Sequence, residues 1–389
     1  MNKRKWAAAS VAAVLAACGG GGGSDNNQTE ASSVKVVGAS LADSGTLGYK
    51  FTVQPTNGAN YRVYSESVAA DYGATSFCPA YTYSASTSSF SSNAGCTNYA
   101  VAGATINNYV PGYGVLDNVQ TSEIKQLVDA GNAGFGAHDL LLVGEASAND
   151  TAALVTAYVN QYILATGADF TTLAATLVSP ANMTTYASDP ATLGALYMQA
   201  LADKLVGAVV TNALAKGAAR VAILNTLDVT QTPKLQAALA YIAAASSQAN
   251  ADQVQALIRS WIGAYNDQLD ADVVPYAANV AVIDFYTAFN ADLNNPTANG
   301  LTNTTATVCD EIHTNGTAAG TTSLSDSGVV RECTDAAATA HAAPTPPASD
   351  GTANWWKSFL FADNFHPTPH GHDLLTAIVE TRLRAVGWM

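Results

Sequence analysis

Charged side chains are scarce in this sequence, and basic side chains are the scarcest. Only 12% of the 389 residues are charged, and 16 lysines and arginines stand against 30 aspartates and glutamates, for a net charge of −14. A protein that follows a phosphate backbone needs a basic surface, so this balance argues against an extended nucleic-acid-binding face. We therefore expect no nucleic-acid partner.

Closely spaced cysteine pairs are also missing, and without a CxxC motif a structural metal site is disfavoured. Besides Cys18, the chain has four cysteines, Cys78, Cys96, Cys309 and Cys333. An even number in an exported protein predicts disulfides, and three pairings are possible. The local pairs, Cys78–Cys96 and Cys309–Cys333, would each close a loop rich in Ser, Thr, Asn and Gly.

The apolar stretch near the N-terminus is too short to span a bilayer as a mature helix. It follows three basic residues at 3–5, a pattern that predicts a signal peptide over residues 1–17. Leu15–Cys18 resembles the lipobox of bacterial lipoproteins, which implies a lipidated Cys18 on a flexible tether, residues 18–32. Gly19 and Gly20, rather than an aspartate, follow Cys18, and by the same resemblance to Gram-negative lipoproteins this pattern implies the outer membrane. We expect an exported protein, anchored in the membrane through Cys18, or secreted if the segment is an ordinary signal.

Short, continuous apolar runs alternate with helical patterns along the rest of the chain. The runs lie at 34–40, 138–144, 220–226, 279–285 and 359–363, and the helical patterns at about 151–166, 190–217, 233–246, 250–270 and 368–386. Continuous apolar runs indicate strands buried on both faces, as in a parallel sheet. We predict an α/β protein, a three-layer α/β/α sandwich over residues 33–389, with a helical insertion at about 151–275 as a candidate lid.

Polar residues with useful chemistry follow the predicted strands, where parallel sheets bind their ligands. Ser40 follows the first run, Asn149 the second, and Asp363 and His366 the last. A serine hydroxyl needs a histidine base to become a nucleophile, and the histidine needs an acid to orient it. The short Asp363–His366 spacing lets the carboxylate reach the imidazole.

A serine nucleophile also needs donors for the oxyanion of its tetrahedral intermediate. Gly103 has no Cβ, so its backbone N–H can approach a ligand closely. The Asn149 amide is a second candidate donor, and the backbone N–H of Ser40 is a third.

These residues lie in four segments, GASLADSG, NYAVAGAT, SAND and DNFHPTPHGH, which resemble the four blocks of the SGNH, or GDSL-type, hydrolases in the same chain order. The resemblance implies a flavodoxin-like sandwich and ester hydrolysis through an acyl-serine, without metal or cofactor. It implies Ser40 as nucleophile, His366 as base and Asp363 as its partner. It also implies an oxyanion hole of Ser40, Gly103 and Asn149.

Two positions depart from the family pattern, and other polar residues have simpler interpretations. Ala39 stands where the family usually has aspartate, which predicts altered hydrogen bonding in the turn, and Ser147 replaces a usual glycine. Glu145 is expected to be a solvated loop carboxylate. His370 and His372 are expected to cap or face solvent on the last helix rather than bind metal.

The predicted substrate is a small-molecule, lipid or polymer ester. The same residues would also serve a thioesterase or a carbohydrate deacetylase, because variable loops build the pocket. A non-catalytic surface lipoprotein on this scaffold is the alternative outside enzymes.

Overall fold

The computed structural model describes residues 33–56, 58–74, 76–313 and 327–389. The predicted signal peptide (1–17), the tether (18–32) and Cys18 lie outside the described residues.

Strands and helices alternate along the described chain. The strands are β1 (Val34–Val37), β2 (Tyr81–Ser84), β3 (Ser89–Ser92), β4 (Tyr109–Val110), β5 (Gly114–Val115), β6 (Leu140–Val143), β7 (Arg220–Leu224), β8 (Val280–Ile283), β9 (Asn303–Thr307) and β10 (Phe359–Phe361). The helices are α1 (Tyr64–Asp71), α2 (Glu123–Asn132), α3 (Ala146–Tyr158), α4 (Asp169–Ala174), α5 (Pro180–Thr185), α6 (Pro190–Asn212), α7 (Pro233–Ala245), α8 (Gln248–Val273), α9 (Phe285–Asn294), α10 (Val308–His313), α11 (Ser327–Glu332), α12 (Asp335–Ala340) and α13 (Pro369–Ala385).

The central sheet is parallel, in the order β1-β6-β7-β8. Its strands are short apolar runs, and those of β1 and β6 are buried at every position, as the continuous hydrophobicity predicts. A fifth segment, residues 97–101, lies on the free side of β1. Tyr99 N–H donates to the Val36 carbonyl (2.7 Å), and Val101 N–H to that of Gly38 (3.2 Å).

Helices cover the sheet and confirm the predicted α/β/α sandwich. The helices α1 and α13 pack on each other, and α6 packs along α8 and against α2. Gly194 on α6 makes this packing possible, because a Cβ there would lie 2.2 Å from the Trp261 ring on α8. The segment Pro190–Lys216 is apolar and long enough to cross a membrane, but 56% of its most apolar stretch is buried in the protein.

The predicted helical insertion needs different bounds. The strand β7 lies inside 151–275 and pairs with β6 and β8, while α6 and α8 form part of the helical layer. The composition of this stretch is helical because two long core helices surround one short strand. A segment additional to the layered core is therefore confined to shorter stretches, such as the π-turn Val159–Ile163 with α4 and α5.

The run at 359–363 does not join the central sheet. Its strand β10 pairs in parallel with β9 in a separate two-stranded sheet. Its first residue, Phe359, packs with Trp355, Trp356 and the disulfide of Cys309 and Cys333, whereas Leu360 and Phe361 pack in the main core. An apolar run reveals that a strand is buried, but it does not reveal the strand's partner.

Both predicted disulfides form within the local loops. Cys78 bonds to Cys96 with a Cα–Cα distance of 4.8 Å, and Cys309 to Cys333 with one of 5.2 Å. Of the three pairings open from the sequence, the structure has the one that joins neighbours in the chain.

Candidate active site

Ser40 and His366 lie side by side although 326 positions separate them. The Oγ of Ser40 is 2.8 Å from Nε2 of His366, and Ser40 is 5% exposed. Ser40 lies on the turn after β1, preceded by Gly38 with a φ of +150°, a value that L side chains rarely adopt. A Cβ on Gly38 would also lie 3.1 Å from the backbone of Gly144 at the end of β6.

Asp363 holds the other side of the His366 ring. Its carboxylate lies 2.8 and 3.0 Å from Nδ1, and it also accepts the backbone N–H groups of Phe365 and His366. Burial alone would raise the pKa of Asp363, but His366 and these donors outweigh it and hold the pKa below its usual value. An ionised Asp363 assigns the proton to Nδ1 and leaves Nε2 free to accept from Ser40.

The ring of Phe51 packs against His366 with a centroid separation of 4.7 Å. Phe51 lies in the loop after the Ser40 turn and is itself buried. This packing fixes the plane of the imidazole from a segment that no sequence motif singles out.

Gly103 and Asn149 lie next to each other at the same edge of the sheet. Gly103 has a φ of +77°, and the space where its Cβ would stand is open. The Asn149 amide donates one proton to the Ala104 carbonyl (2.9 Å), which leaves its second N–H available. Across the described part of the chain, the backbone N–H groups of Ser40 and Gly103 have no hydrogen-bond partner.

Two buried aspartates that the sequence reasoning did not single out hold the Gly103 segment in place. Asp150 accepts the N–H groups of Ile106 (2.7 Å) and Asn107 (2.9 Å), and its burial raises its pKa to about 7. Asp43 accepts the N–H of Ala102 (3.0 Å). In the sequence, only their positions, directly after Asn149 and close to Ser40, could have indicated this structural role.

Glu145 is buried, not solvated as predicted. It is 3% exposed, accepts the Leu41 N–H (2.9 Å) and lies 3.3 Å from the Tyr64 hydroxyl. Burial raises its pKa, and the backbone N–H groups of its own residue, Leu41 and Ala42 oppose that rise. The prediction failed because a glutamate in a Gly/Ala/Ser segment carries no sequence sign of burial.

Ser147 and the two histidines on α13 also have defined partners. Ser147 is buried and lies 2.7 Å from the Thr226 hydroxyl. His370 lies 2.7 Å from the Asn299 carbonyl, while His372 is 1% exposed and does not face solvent. Among the residues that the structure describes, no group of three His, Cys, Asp or Glu side chains could hold a metal ion.

An apolar cavity lies beside the site. Its wall includes Leu41, which follows Ser40, and Phe365 and Pro367, which flank His366. The rest is mainly aliphatic and aromatic side chains from α9, β10 and α13. Ser40 and His366 themselves do not line it, so the cavity adjoins this pair of residues from one side.

The chain matches a known protein family. Residues 34–379 match the family described as GDSL-like Lipase/Acylhydrolase, and this range contains every site residue named above except Cys18. No curated protein matches the chain.

Proposed function

This chain belongs to the GDSL-like lipase/acylhydrolase family and hydrolyses esters, and on that premise we propose that Ser40 is its nucleophile. The single observation that supports this most is the continuous hydrogen-bonded row Ser40–His366–Asp363, with distances of 2.8 Å at both junctions. In such a row, the histidine can receive the serine proton and return it, while the aspartate stabilises the positive charge on the imidazole.

In the proposed first step, Ser40 Oγ attacks the ester carbonyl carbon as its proton moves to Nε2 of His366. Asp363 keeps its charge and stabilises the imidazolium through the Nδ1–H bond. The tetrahedral intermediate then collapses, and the alcohol leaves with the proton from Nε2. Water repeats the sequence on the acyl-serine and releases the acid and the free Ser40 hydroxyl.

The oxyanion would be bound by three N–H groups at the edge of the sheet. The free backbone N–H groups of Ser40 and Gly103 and the second N–H of Asn149 are the donors that we assign to it. The hydrogen bond from Asn149 to Ala104 stabilises this arrangement before substrate binds, so little reorganisation is needed in the transition state.

We propose a carboxylester with an apolar group as the substrate. The cavity walled by Leu41, Phe365 and Pro367 supports this choice because it offers apolar contact next to the reactive pair. An acetylated carbohydrate would place hydroxyl groups against these side chains without hydrogen-bond partners, at a cost in free energy. A thioester would use the same residues.

We also propose that the protein is exported and anchored by a lipid on Cys18. The two disulfides support export, because such bonds persist in oxidising compartments.

The test of the nucleophile is the variant Ser40→Ala, assayed on a chromogenic short-chain carboxylester. We expect kcat to fall by about 10³-fold or more, because loss of the nucleophile leaves only substrate binding and the oxyanion donors. A fluorophosphonate probe should label the native protein and not the variant.

The matched control is Ser44→Ala, in the same loop. Ser44 accepts a hydrogen bond from Asn98 (2.9 Å) and contacts neither His366 nor Asp363 through any hydrogen bond that the described chain makes. It should retain most of the activity and the probe labelling. Full activity in folded Ser40→Ala would refute the proposed mechanism.

A further inference from the structure

The turn that carries Ser40 is held by a side chain from a different part of the chain. Oε1 of Glu145 accepts the N–H of Leu41 (2.9 Å). The following N–H, that of Ala42, donates to the Ala39 carbonyl (3.2 Å) and lies close enough to the carboxylate to lower its pKa. Glu145 follows β6 and is 104 positions from Leu41. The N–H group directly after the nucleophile is therefore held by one buried carboxylate.

An aspartate at position 39 would place a carboxylate near the same donors. An Asp side chain at position i commonly accepts the N–H of residue i+2, in an Asx-turn, and can also reach that of i+3. Counted from position 39, those residues are Leu41 and Ala42. Ala39 carries only a methyl group, so the local residue cannot supply this acceptor.

We propose that Glu145 is a positioning residue whose carboxylate replaces, from across the sheet, the acceptor that Ala39 cannot offer to the Ser40 turn. This inference rests on the proposed function, because the placement of Ser40 affects catalysis only if Ser40 reacts.

The residues around Glu145 hold its carboxylate next to the turn that carries Ser40. Its second oxygen lies 3.3 Å from the hydroxyl of Tyr64, a side chain buried completely in the core. Gly144 allows the approach, because a Cβ there would lie 3.0 Å from the Tyr64 hydroxyl and 3.1 Å from the Val37 carbonyl. The carboxylate is thus fixed between the ends of β1 and β6.

Glu145 also connects two parts of the proposed site. It is the residue immediately before α3, and Asn149 lies on the first turn of that helix. Through one side chain, the turn that carries Ser40 is tied to the helix that carries Asn149. Loss of the carboxylate should therefore shift the nucleophile relative to the oxyanion donors and lower kcat more than substrate binding.

A double-mutant cycle tests the proposal with Glu145→Ala, Ala39→Asp and the combination of both. In Glu145→Ala we expect kcat to fall by about 10- to 100-fold, as for a misplaced reacting group, with KM changed by about threefold at most. In the combination, the aspartate at position 39 should recover about tenfold of the lost kcat. Introduced alone, Ala39→Asp should lower kcat, because two carboxylates then compete for the Leu41 N–H.

Glu123 supplies the matched control. It is a second fully buried carboxylate, and its burial and the nearby charge of Glu145 raise its pKa. No hydrogen bond joins it to the turn of Ser40 in the described chain, and neither of its carboxylate oxygens has a hydrogen-bond partner there. Glu123→Gln should therefore retain kcat, while Glu145→Gln, with one remaining acceptor, should fall between the native protein and Glu145→Ala.

The outcomes distinguish this inference from the proposed mechanism. If Ser40→Ala keeps its activity, the mechanism itself fails. If Ser40→Ala is inactive but Glu145→Ala has the native kcat, only the positioning role fails. A double variant no better than Glu145→Ala, in activity or in folding, also overturns the positioning role, and better folding or activity supports it.

Discussion

The imidazole of His372 lies buried at the start of α13, and its contacts require it to be neutral. Its Nδ1 accepts the backbone N–H of Tyr64 (3.3 Å), and its Nε2 lies 3.4 Å from the Phe51 carbonyl. Burial lowers the pKa of His372 to about 3, and the nearby charges of His366 and Lys50 add to that shift. A protonated ring would lose the bond from Tyr64 and leave a charge in the core.

The pH dependence of stability should therefore carry a contribution from His372. Between pH 6.5 and about 3 the unfolded chain binds a proton that the folded protein excludes, so this residue removes stability as the pH falls through that window. Its slope reaches about 1.4 kcal/mol per pH unit for one proton.

Urea denaturation at several pH values measures this slope. In His372→Asn, whose amide oxygen can still accept from Tyr64, we expect lower stability at pH 7.5 and a weaker loss below pH 6. The difference between the two proteins isolates His372 from other groups such as Asp150, whose raised pKa acts in the opposite direction. Parallel curves for the two proteins would contradict the assignment.

At the scale of elements, the disulfide between Cys309 on α10 and Cys333, directly after α11, supports the turn that carries Asp363 and His366 from two sides. The N–H of Cys309 donates to the carbonyl of Ala362 (2.8 Å), directly before Asp363. The carbonyl of Cys333 accepts the N–H of Gln54 (2.7 Å), in the loop whose Phe51 packs on the His366 ring. One covalent link thus joins the backbone next to Asp363 to the segment that supports the imidazole.

Removing this disulfide should impair catalysis as well as stability. We expect Cys309→Ser/Cys333→Ser to lose about 3 kcal/mol of stability and about tenfold in kcat, assayed at a temperature where it remains folded. The comparison is Cys78→Ser/Cys96→Ser, which opens a loop of similar length, with a sequence separation of 18 against 24. It should lose similar stability but less kcat, because no contact joins it to Asp363 or His366 in the described chain. Equal losses of kcat in the two folded proteins would contradict a supporting role of the Cys309–Cys333 disulfide at Asp363 and His366.

At the scale of the whole molecule, the proposed anchor at Cys18 precedes the catalytic domain in the sequence. The sandwich begins at β1, immediately after the predicted tether 18–32. A lipid on Cys18 would therefore restrict where the enzyme acts without changing its site. Attachment through this lipid would keep the active site at a high local concentration near substrate at the membrane surface.

The anchor can be tested without loss of activity. In a Gram-negative host, the native protein should partition into the detergent phase of a phase-separating detergent and incorporate labelled fatty acid. Cys18→Ser should move to the aqueous phase and lose the label while it still hydrolyses soluble esters, and Ser24→Ala in the tether should behave as native. Retention of Cys18→Ser in the membrane fraction with the label intact would exclude this anchor.

The sequence predicted the central strands of this protein but not the partner of every strand. Apolar runs predicted the strands β1, β6, β7 and β8, because burial on both faces imposes continuous hydrophobicity. The motifs also predicted the approach of Ser40 to His366, although His366 follows β10, which pairs outside the central sheet. The partner of β10 could not be predicted, since any exposed strand edge offers the same backbone groups.

The sequence by itself determined the fold class, the family and the residues that meet at the site. The hydrophobicity of each strand and the chemistry of each side chain can be read from a few neighbouring residues. Only the tertiary structure decided that Glu145 reaches the Ser40 turn, that His372 is excluded from water and that Phe51 supports His366. These are contacts between segments distant in the chain. They depend on how the layers pack, and no local pattern of residues encodes that packing.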